Sequence, residues 1–474
     1  MAKSLKLINQ NLTEVISNSQ DARSFLAKIT DKNSFVEYDT FLSGSNLVYA
    51  KVPVGEGIVT GWATISDYPV YIAVQNAEIL GGSFGVAHAQ KLIRCIDRAI
   101  KAKVPFVSVI DSSGLRIGEG IQALDGYAKV IAKINELRNV SYHISIVNGP
   151  ATGLMAVYAA TSDFLFISAD SKKNSRGASI SMGSPMSLSA LAGLNKPAEE
   201  VLGASQYVSN GIAEGSFKTP TELKKSLDLI LESLERKTSK SKDDPNRITD
   251  NLNENSSPKV IIDALVDDGK YLEVYKNDAP SIKTILASIN TIPVGIAITA
   301  ADNTRRLTVD SIKKLTRFIK LLNKSKSPLI NIVDCEGILT DLESEKNGII
   351  RETVELFEVL ATCKQPKVSV ITGDAIGMAY VALASKDSGY DYVVAFSTAR
   401  IAALTADVAV NLLYADELNG TSDPIKARKT LEDRYNLDEI NPFVSAKSGS
   451  IDTIIEPALL RPYIASYITS AVMD

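Results

Sequence analysis

The chain reads as an α/β protein built from two copies of one domain, and three observations carry that reading. Short β-branched runs alternate with helix-period stretches along the whole length. Val107-Ser-Val-Ile-Asp-Ser-Ser-Gly114 returns as Ile330-Asn-Ile-Val-Asp-Cys-Glu-Gly337, and Gly149-Pro-Ala-Thr-Gly-Leu-Met-Ala156 returns as Gly373-Asp-Ala-Ile-Gly-Met-Ala379. The register is constant: Asp111 to Asp334 spans 223 residues (334 − 111), as does Pro105 to Pro328 (328 − 105), and Gly153 to Gly377 spans 224 (377 − 153).

After a helical lead-in around Ala22–Ile29, Gly57–Ile65 and Val70–Val74 read as strands bounded by turn residues. His88–Ile100 is expected to be a helix, because Leu92, Ile96, Ala99 and Ile100 share one stripe. Phe106–Ile110 is a continuous apolar run, as in a strand buried on both faces. A helix over Ile121–Leu137 and a strand over His143–Val147 complete the first copy. The second repeats the order: strand Val294–Thr299, helix through Ile312 to Leu322, strand Leu329–Val333, helix Glu352–Ala361, strand Val368–Thr372. Between the copies, Lys237-Thr-Ser-Lys-Ser-Lys-Asp-Asp-Pro-Asn-Arg247 and onward to Pro258 is nearly free of apolar residues. The expected division is therefore a first domain over 1–240, a surface linker over 241–257 and a second domain over 258–474.

Composition narrows the function. The chain has 474 residues, enough for two full cores, with 45% apolar and 22% charged residues as in ordinary enzymes. A net charge of −4 gives no reason to expect nucleic acid or an anionic membrane. Three cysteines without paired spacing fit a reducing cytosol and exclude a four-cysteine zinc ribbon. The start, Met1-Ala-Lys-Ser-Leu-Lys6, lacks the apolar core of a signal peptide, and no apolar stretch approaches the roughly 18 residues that cross a bilayer. A cytoplasmic protein is expected. Only His88 and His143 are histidines, so chemistry that needs no side-chain base is favoured.

The repeated glycine turns supply such chemistry. Each closes a buried strand and opens a helix, aiming unpaired N–H groups at one spot. Two donors converging on a carbonyl oxygen make an oxyanion hole, each worth on the order of 3 kcal/mol in the transition state. The bland alternative is a tight turn that needs glycine only for positive φ; the matched pair in both copies favours the hole.

These blocks, with Gly81-Gly-Ser-Phe-Gly-Val-Ala-His-Ala-Gln-Lys91, Asp111–Gly120, Gly149–Asp163, Asp334-Cys-Glu-Gly-Ile-Leu339, Gly348-Ile-Ile-Arg351 and Pro366–Tyr380, resemble the carboxyltransferase subunit of biotin-dependent acyl-CoA carboxylases, transcarboxylases and decarboxylases. The resemblance runs from about Ala22 to the C-terminus. It implies a tandem crotonase-like ββα spiral fold, acyl-CoA on the first domain, biotin on the second, and active sites shared between subunits of a homo-oligomer, usually a hexamer. It maps the acyl hole to Gly114, Leu115, Gly153 and Leu154, and the biotin hole to Gly337, Ile338, Met378 and Ala379. Gly82, Ser83, Lys91, Arg94 and Arg116 become candidates for CoA contact, against a solvated helix face or a loop cap. Gly377, Tyr380 and Val381 are expected to line the biotin and substrate pocket.

Two departures stand out. The family usually has two glycines in the second loop of each copy, whereas this chain has Gly153-Leu154 and Gly377-Met378, where a side chain narrows the pocket or strains the turn. Val381 stands where many members carry an acidic residue tied to acyl choice. No Ala-Met-Lys-Met-like biotinylation site and no ATP-binding loop is evident, so biotin must ride on a separate carrier protein. Either a biotin carboxylase or a membrane decarboxylase subunit then completes the system. Rival expectations are a non-catalytic paralogue acting as an assembly scaffold, and a serine hydrolase using Ser112 or Ser113 with His88 or His143.

Overall fold

The computed structural model describes residues 2–44, 52–170, 177–184, 187–188, 190, 193, 198–234, 241–254, 257–299 and 305–473. The chain forms two compact units, Met1–Glu232 and Ser233–Asp474. In the first, the strands are β1 (Val36–Tyr38), β2 (Ile58–Ile65), β3 (Tyr68–Gln75), β4 (Phe106–Ser112), β5 (His143–Thr152), β6 (Phe164–Ser168), β7 (Ser179–Ser181) and β8 (Gly215–Phe217). They join in the order β1-β2-β3-β4-β5-β6-β8, with β7 paired to the far end of β5. The second unit has β9 (Tyr271–Val274), β10 (Lys283–Ile289), β11 (Ile292–Ile298), β12 (Leu329–Cys335), β13 (Lys367–Ile376), β14 (Tyr392–Phe396), β15 (Arg400–Ala402) and β16 (Thr453–Ile455). Their order, β9-β10-β11-β12-β13-β14-β16 with β15 on β13, is the same design.

Each unit starts with a hairpin and continues as a parallel sheet with helices between strands. The hairpin turns, Ser66-Asp67 and Asn290-Thr291, put both central residues at positive φ (50° and 67°; 49° and 67°), the two-residue turn that matches strand twist. A carboxylate anchors each one. Asp31 accepts from the Ser66 and Asp67 amides at 3.0 and 2.8 Å, and Asp267 accepts from those of Asn290 and Thr291 at 3.0 and 2.8 Å. Burial opposes the charge on Asp31, but hydrogen bonds from Lys224, the two amides and Thr64 prevail and hold its pKa well below the carboxylate range.

The expected helices are present as Val86–Ala102, Gly120–Arg138, Val309–Ser325 and Ile349–Thr362. Leu92, Cys95, Ile96 and Ala99 from the first of these pack with Phe106, Ile110 and Val147 from the sheet, as the apolar stripe implies. On the same helix face lies a fully buried lysine. The Lys91 ammonium donates to the carbonyls of Gly55 at 2.9 Å and Ile58 at 2.6 Å. One repeat later Lys314, equally buried, donates to Ile282 at 2.6 Å and Ala279 at 3.4 Å. Both lysines therefore pin the entrance of the hairpin to the long helix that follows it. Burial pulls the Lys91 pKa down to about 8.

The expected linker departs from its polar reading. Among the described residues of that stretch, Leu252 joins the second core, the Thr249 amide donates to Ala458 at 3.1 Å, and buried Arg461 donates to the Asp244 carbonyl at 2.9 Å. Residues 241–254 are thus an integral wrap of the second unit, whose boundary falls at 232/233. Polarity there reflects side chains bonded to backbone, which composition alone reads as solvation; residues 235–240 and 255–256 lie outside the described residues.

Two outcomes follow. Lys91→Met or Lys314→Met leaves buried carbonyls without a donor and should lower unfolding free energy by about 1–3 kcal/mol in denaturant titrations, whereas Arg94→Met, removing an exposed pair with Asp39, should cost under about 0.5 kcal/mol. Because the Asp31 pKa is depressed in the fold, its contribution is complete above the ordinary carboxylate range and lost on acidification below it. Asp31→Asn should lower the melting temperature at neutral pH and flatten its fall below about pH 4.

Candidate active site

Strands β4 and β12 each end in a glycine turn. Gly114 sits at φ +104° and Gly337 at φ +133°, conformations that L side chains rarely adopt. The next residue of each turn forms a lone parallel bridge, Leu115 with Phe84 and Ile338 with Leu307. In the first, Phe84 N–H donates to Gly114 O and Arg116 N–H donates to Phe84 O, both at 2.8 Å; in the second, Leu307 and Leu339 repeat the pattern at 2.9 Å. A parallel bridge uses the groups flanking the central residue, so the N–H groups of Leu115 and Ile338 point the other way. Among the described residues nothing accepts from them.

The second donor comes from the turn after β5 or β13. Gly153 adopts φ +61°, ψ −120° and Gly377 φ +55°, ψ −128°, nearly the same shape and one open only to glycine. Both glycine amides are spent inside the fold: Gly153 donates to Ser181 O at 2.8 Å and Gly377 to Ala402 O at 2.9 Å. These are bonds to β7 and β15, the short strands off the main sheet. Expecting Gly153 to donate is therefore corrected, and Gly114 is likewise engaged, its amide reaching Ser112 Oγ at 3.2 Å. The free donors are the amides of Leu154 and Met378, first residues of helices Leu154–Ala160 and Met378–Leu383, which have no side-chain cap. Ala379 N–H, in the same first turn, is the next along.

Leu154 and Met378 have ordinary helical backbone, because the glycine before each absorbs the unusual dihedrals. The expected strain is absent. Met378 is 45% exposed and Leu154 is partly exposed.

The two turns of each copy clasp each other. A Cβ on Gly149 would lie 2.2 Å from the Asp111 carboxyl carbon, and one on Gly373 would lie 2.3 Å from Asp334 Oδ1. These glycines are required by close approach rather than by φ. A Cβ on Gly114 would stand 3.1 Å from Thr152 O, and one on Gly337 3.8 Å from Ile376 O, so the turns run side by side.

In the first copy Gln75 holds them: Oε1 accepts from the Asp111 amide at 3.0 Å, and Nε2 faces His88 Nε2 at 3.1 Å and Met155 Sδ at 3.9 Å. Burial, then the charges of Arg116 and Lys91, push the His88 pKa well below its usual value. A neutral His88 accepting from Gln75 is a structural residue. Beside Asp111 and Asn148, which enter the two turns, a cavity of about 300 Å³ opens at the carboxyl ends of β3 to β6, the usual ligand face of such sheets.

Several expected CoA contacts are instead internal. Lys91 is fully buried on backbone carbonyls. Arg116, 2% exposed, pairs with Glu56 and Glu119 and donates to Ser83 Oγ at 3.2 Å and Ser83 O at 2.9 Å, which occupies Ser83 as well. Gly82 is there because a Cβ would lie 2.0 Å from Asp111 O. Arg94 pairs with Asp39. Tyr380 and Val381 lie on the helix after Gly377; the Tyr380 hydroxyl reaches Ser450 O at 3.4 Å and Val381 is 37% exposed. Burial pushes the Cys335 thiol up to about 11, which disarms it as a nucleophile. The serine-hydrolase arrangement is absent from the described bonds, since His143 faces Ser108 and Ser145 within the sheet, and Ser112 Oγ accepts from Gly114.

Sequence reasoning missed a cluster around the second copy's turns. Asp374, 1% exposed, accepts from Arg400 through both oxygens at 2.5 Å and from Arg305 at 2.8 Å. Arg305 also pairs with Asp334 and, at 3.1 Å, with Glu336. No local spacing signals it, because its ion-paired partners lie 26 to 69 positions apart in sequence.

Comparison with known proteins agrees with the geometry. Residues 18–472 match the family model described as carboxyl transferase domain. The chain is 31% identical over 471 residues to the propionyl-CoA carboxylase beta chain of Cereibacter sphaeroides, covering 95% of this chain and 90% of that one. It is 31% identical over 462 residues to the methylmalonyl-CoA decarboxylase subunit alpha of Veillonella parvula, covering 94% and 88%. Its fold superposes on the transcarboxylase 12S crystal structure, a hexamer with methylmalonyl-coenzyme A bound, with a TM-score of 0.88 at 25% identity over 99% of this chain and 95% of the other. The chain belongs to the carboxyl transferase family, with that family's tandem crotonase-like fold.

Proposed function

We propose that this carboxyltransferase moves a carboxyl group between carrier-bound biotin and the α-carbon of a short-chain acyl-CoA, propionyl or acetyl, in one direction or the other. The single observation that supports it most is the matched pair of unengaged amides in each copy, Leu115 with Leu154 and Ile338 with Met378. Transfer to or from an α-carbon places negative charge on the thioester carbonyl oxygen and on the ureido oxygen of biotin, and each pair of amides suits one of them.

The second copy tests whether the residues fit biotin. Its two free amides stand in the turn after β12 (Ile338) and at a helix start (Met378) whose first side chain is 45% exposed, so a planar urea oxygen has donors and an approach. When delivered by its carrier, biotin supplies the ureido nitrogen that bears the carboxyl group and takes the α-proton. The chain's own residues do the rest. Leu115 and Leu154 N–H hold the thioester oxygen as it gains enolate charge; Ile338 and Met378 N–H hold the ureido oxygen. Gly114, Gly153, Gly337 and Gly377 fix where those amides point, and Ala379 N–H backs the second pair. Glycine-turn donors are already oriented before the substrate arrives, which is why they stabilise charge without reorganisation.

A homo-oligomer, of which the hexameric relative is the precedent, a separate biotin carboxyl carrier protein, and a biotin carboxylase or membrane decarboxylase subunit are the partners this reading requires. Among the described residues no helix is long and apolar enough to cross a membrane, which fits work in the cytoplasm against such a partner.

The amides can be deleted without breaking the helices, since proline is tolerated at a first helical position and lacks only the N–H. Leu154→Pro and Met378→Pro should each lower kcat by about 10²- to 10³-fold in carboxyl transfer from methylmalonyl- or malonyl-CoA to free biotin, with melting temperatures nearly unchanged. Full activity in both would eliminate the two-hole reading. Purified from its native host, the chain should bring down a biotin-bearing polypeptide on a streptavidin blot while showing no biotin itself; a biotin-free complex would contradict the separate carrier.

A further inference from the structure

The two copies hold their donors by different means, and the difference lies in where the buried charges sit. At the second copy, Asp374 lies in β13 opposite Arg400 of β15, and its carboxylate takes Nε and Nη2 of Arg400 in a two-pronged pair. Its second oxygen also accepts from Arg305. Arg305 turns to Asp334 and Glu336 at the end of β12, while the Asp374 amide donates to Asp334 Oδ1 at 2.8 Å. Four chain segments meet at one buried carboxylate. Two of them carry the donors: the Arg305 carbonyl accepts from the Glu336 amide at 2.7 Å just before Gly337 and Ile338, and β15 receives the Gly377 amide just before Met378.

The first copy lacks the device. The residue paired with Ser179 on β7, where the second copy pairs Asp374 with Arg400, is Pro150. One repeat before Arg305 stands Gly82 (305 − 223 = 82), so neutral residues occupy all three places; there Gln75 braces the Asp111 amide, and the buried charges sit instead on Arg116, Glu56 and Glu119, beside Leu115.

We infer that Asp374, bracketed by Arg305 and Arg400, is a positioning residue that sets the separation of the Ile338 and Met378 amides, and so controls turnover at the second copy without touching acyl-CoA. This rests on reading that copy as the biotin side. A carboxylate with 1% exposure cannot leave two guanidinium partners without leaving its own charge uncompensated, so the three move as a unit or not at all. Arg305 and Arg400 are each partly exposed, which leaves them replaceable without gutting a core.

The test uses the full chain with Asp374→Asn and, as the gentler variant, Arg400→Lys, which keeps the charge and loses the two-pronged geometry. Amide hydrogen exchange read by mass spectrometry should rise in peptides covering 334–339 and 374–380 and stay unchanged in peptides covering 111–116 and 150–156. In transfer from methylmalonyl-CoA to free biotin, Asp374→Asn should lower kcat by about 100-fold and Arg400→Lys by about tenfold, with KM for the acyl-CoA within about twofold. The double variant should lose less than the product of the single losses, as coupled residues do. Unchanged exchange around 334–339 and 374–380, or a KM for acyl-CoA rising in step with the loss of kcat, overturns the inference. Should Asp374→Asn fail to fold, Arg400→Lys carries the same two readouts. If exchange responds as expected but the unaltered chain turns over no acyl-CoA, positioning stands and the biotin-side assignment falls.

Discussion

The molecule depends on two glycines in a backbone shape that no other residue adopts cheaply. Gly153 and Gly377, at φ near +60° and ψ near −120°, end a buried strand and start a helix within one residue. Because each bonds its own amide to a short side strand, the next residue begins the helix with a free N–H at a fixed place. The flanking clasp, a carboxylate pressed on the Cα of Gly149 or Gly373, keeps the neighbouring turn in register. Leu154 and Met378 are tolerated for the same reason: the dihedral burden falls on the residue before them.

Around this shared frame the copies have diverged in their supports. Hairpin carboxylates Asp31 and Asp267 and buried lysines Lys91 and Lys314 recur in place and partners. The braces at the turns do not. One copy uses the neutral amide of Gln75 beside the ion pairs of Arg116, the other a lattice of arginines and carboxylates centred on Asp374. The scaffolding is common to both copies while the surroundings of the two pairs of amides differ.

Much of this was legible in the residues. Element order, the duplication and both pairs of turns follow from glycine placement and apolar periodicity, which are local signals. What escaped was long-range. Arg116 read as a candidate for CoA contact because Glu56, one of its two partners, lies sixty positions upstream (116 − 56 = 60), although the other, Glu119, stands three residues on and was a local signal of pairing. Lys91 read as a surface cation, although its twin at Lys314, one repeat away on the same helix face, was a signal that it is structural. Residues 241–254 read as linker because side chains that bond backbone carbonyls have the same composition as side chains that bond water.

The buried lysines carry a final consequence for how such a chain stays folded. An ammonium sealed against two carbonyls keeps its partners only while the hairpin entrance and the helix bearing the lysine stay docked, so parting them would leave a buried charge bare. Each copy makes that contact with its own residues alone, Lys91 inside the first unit and Lys314 inside the second, so neither needs the other to neutralise its buried cation.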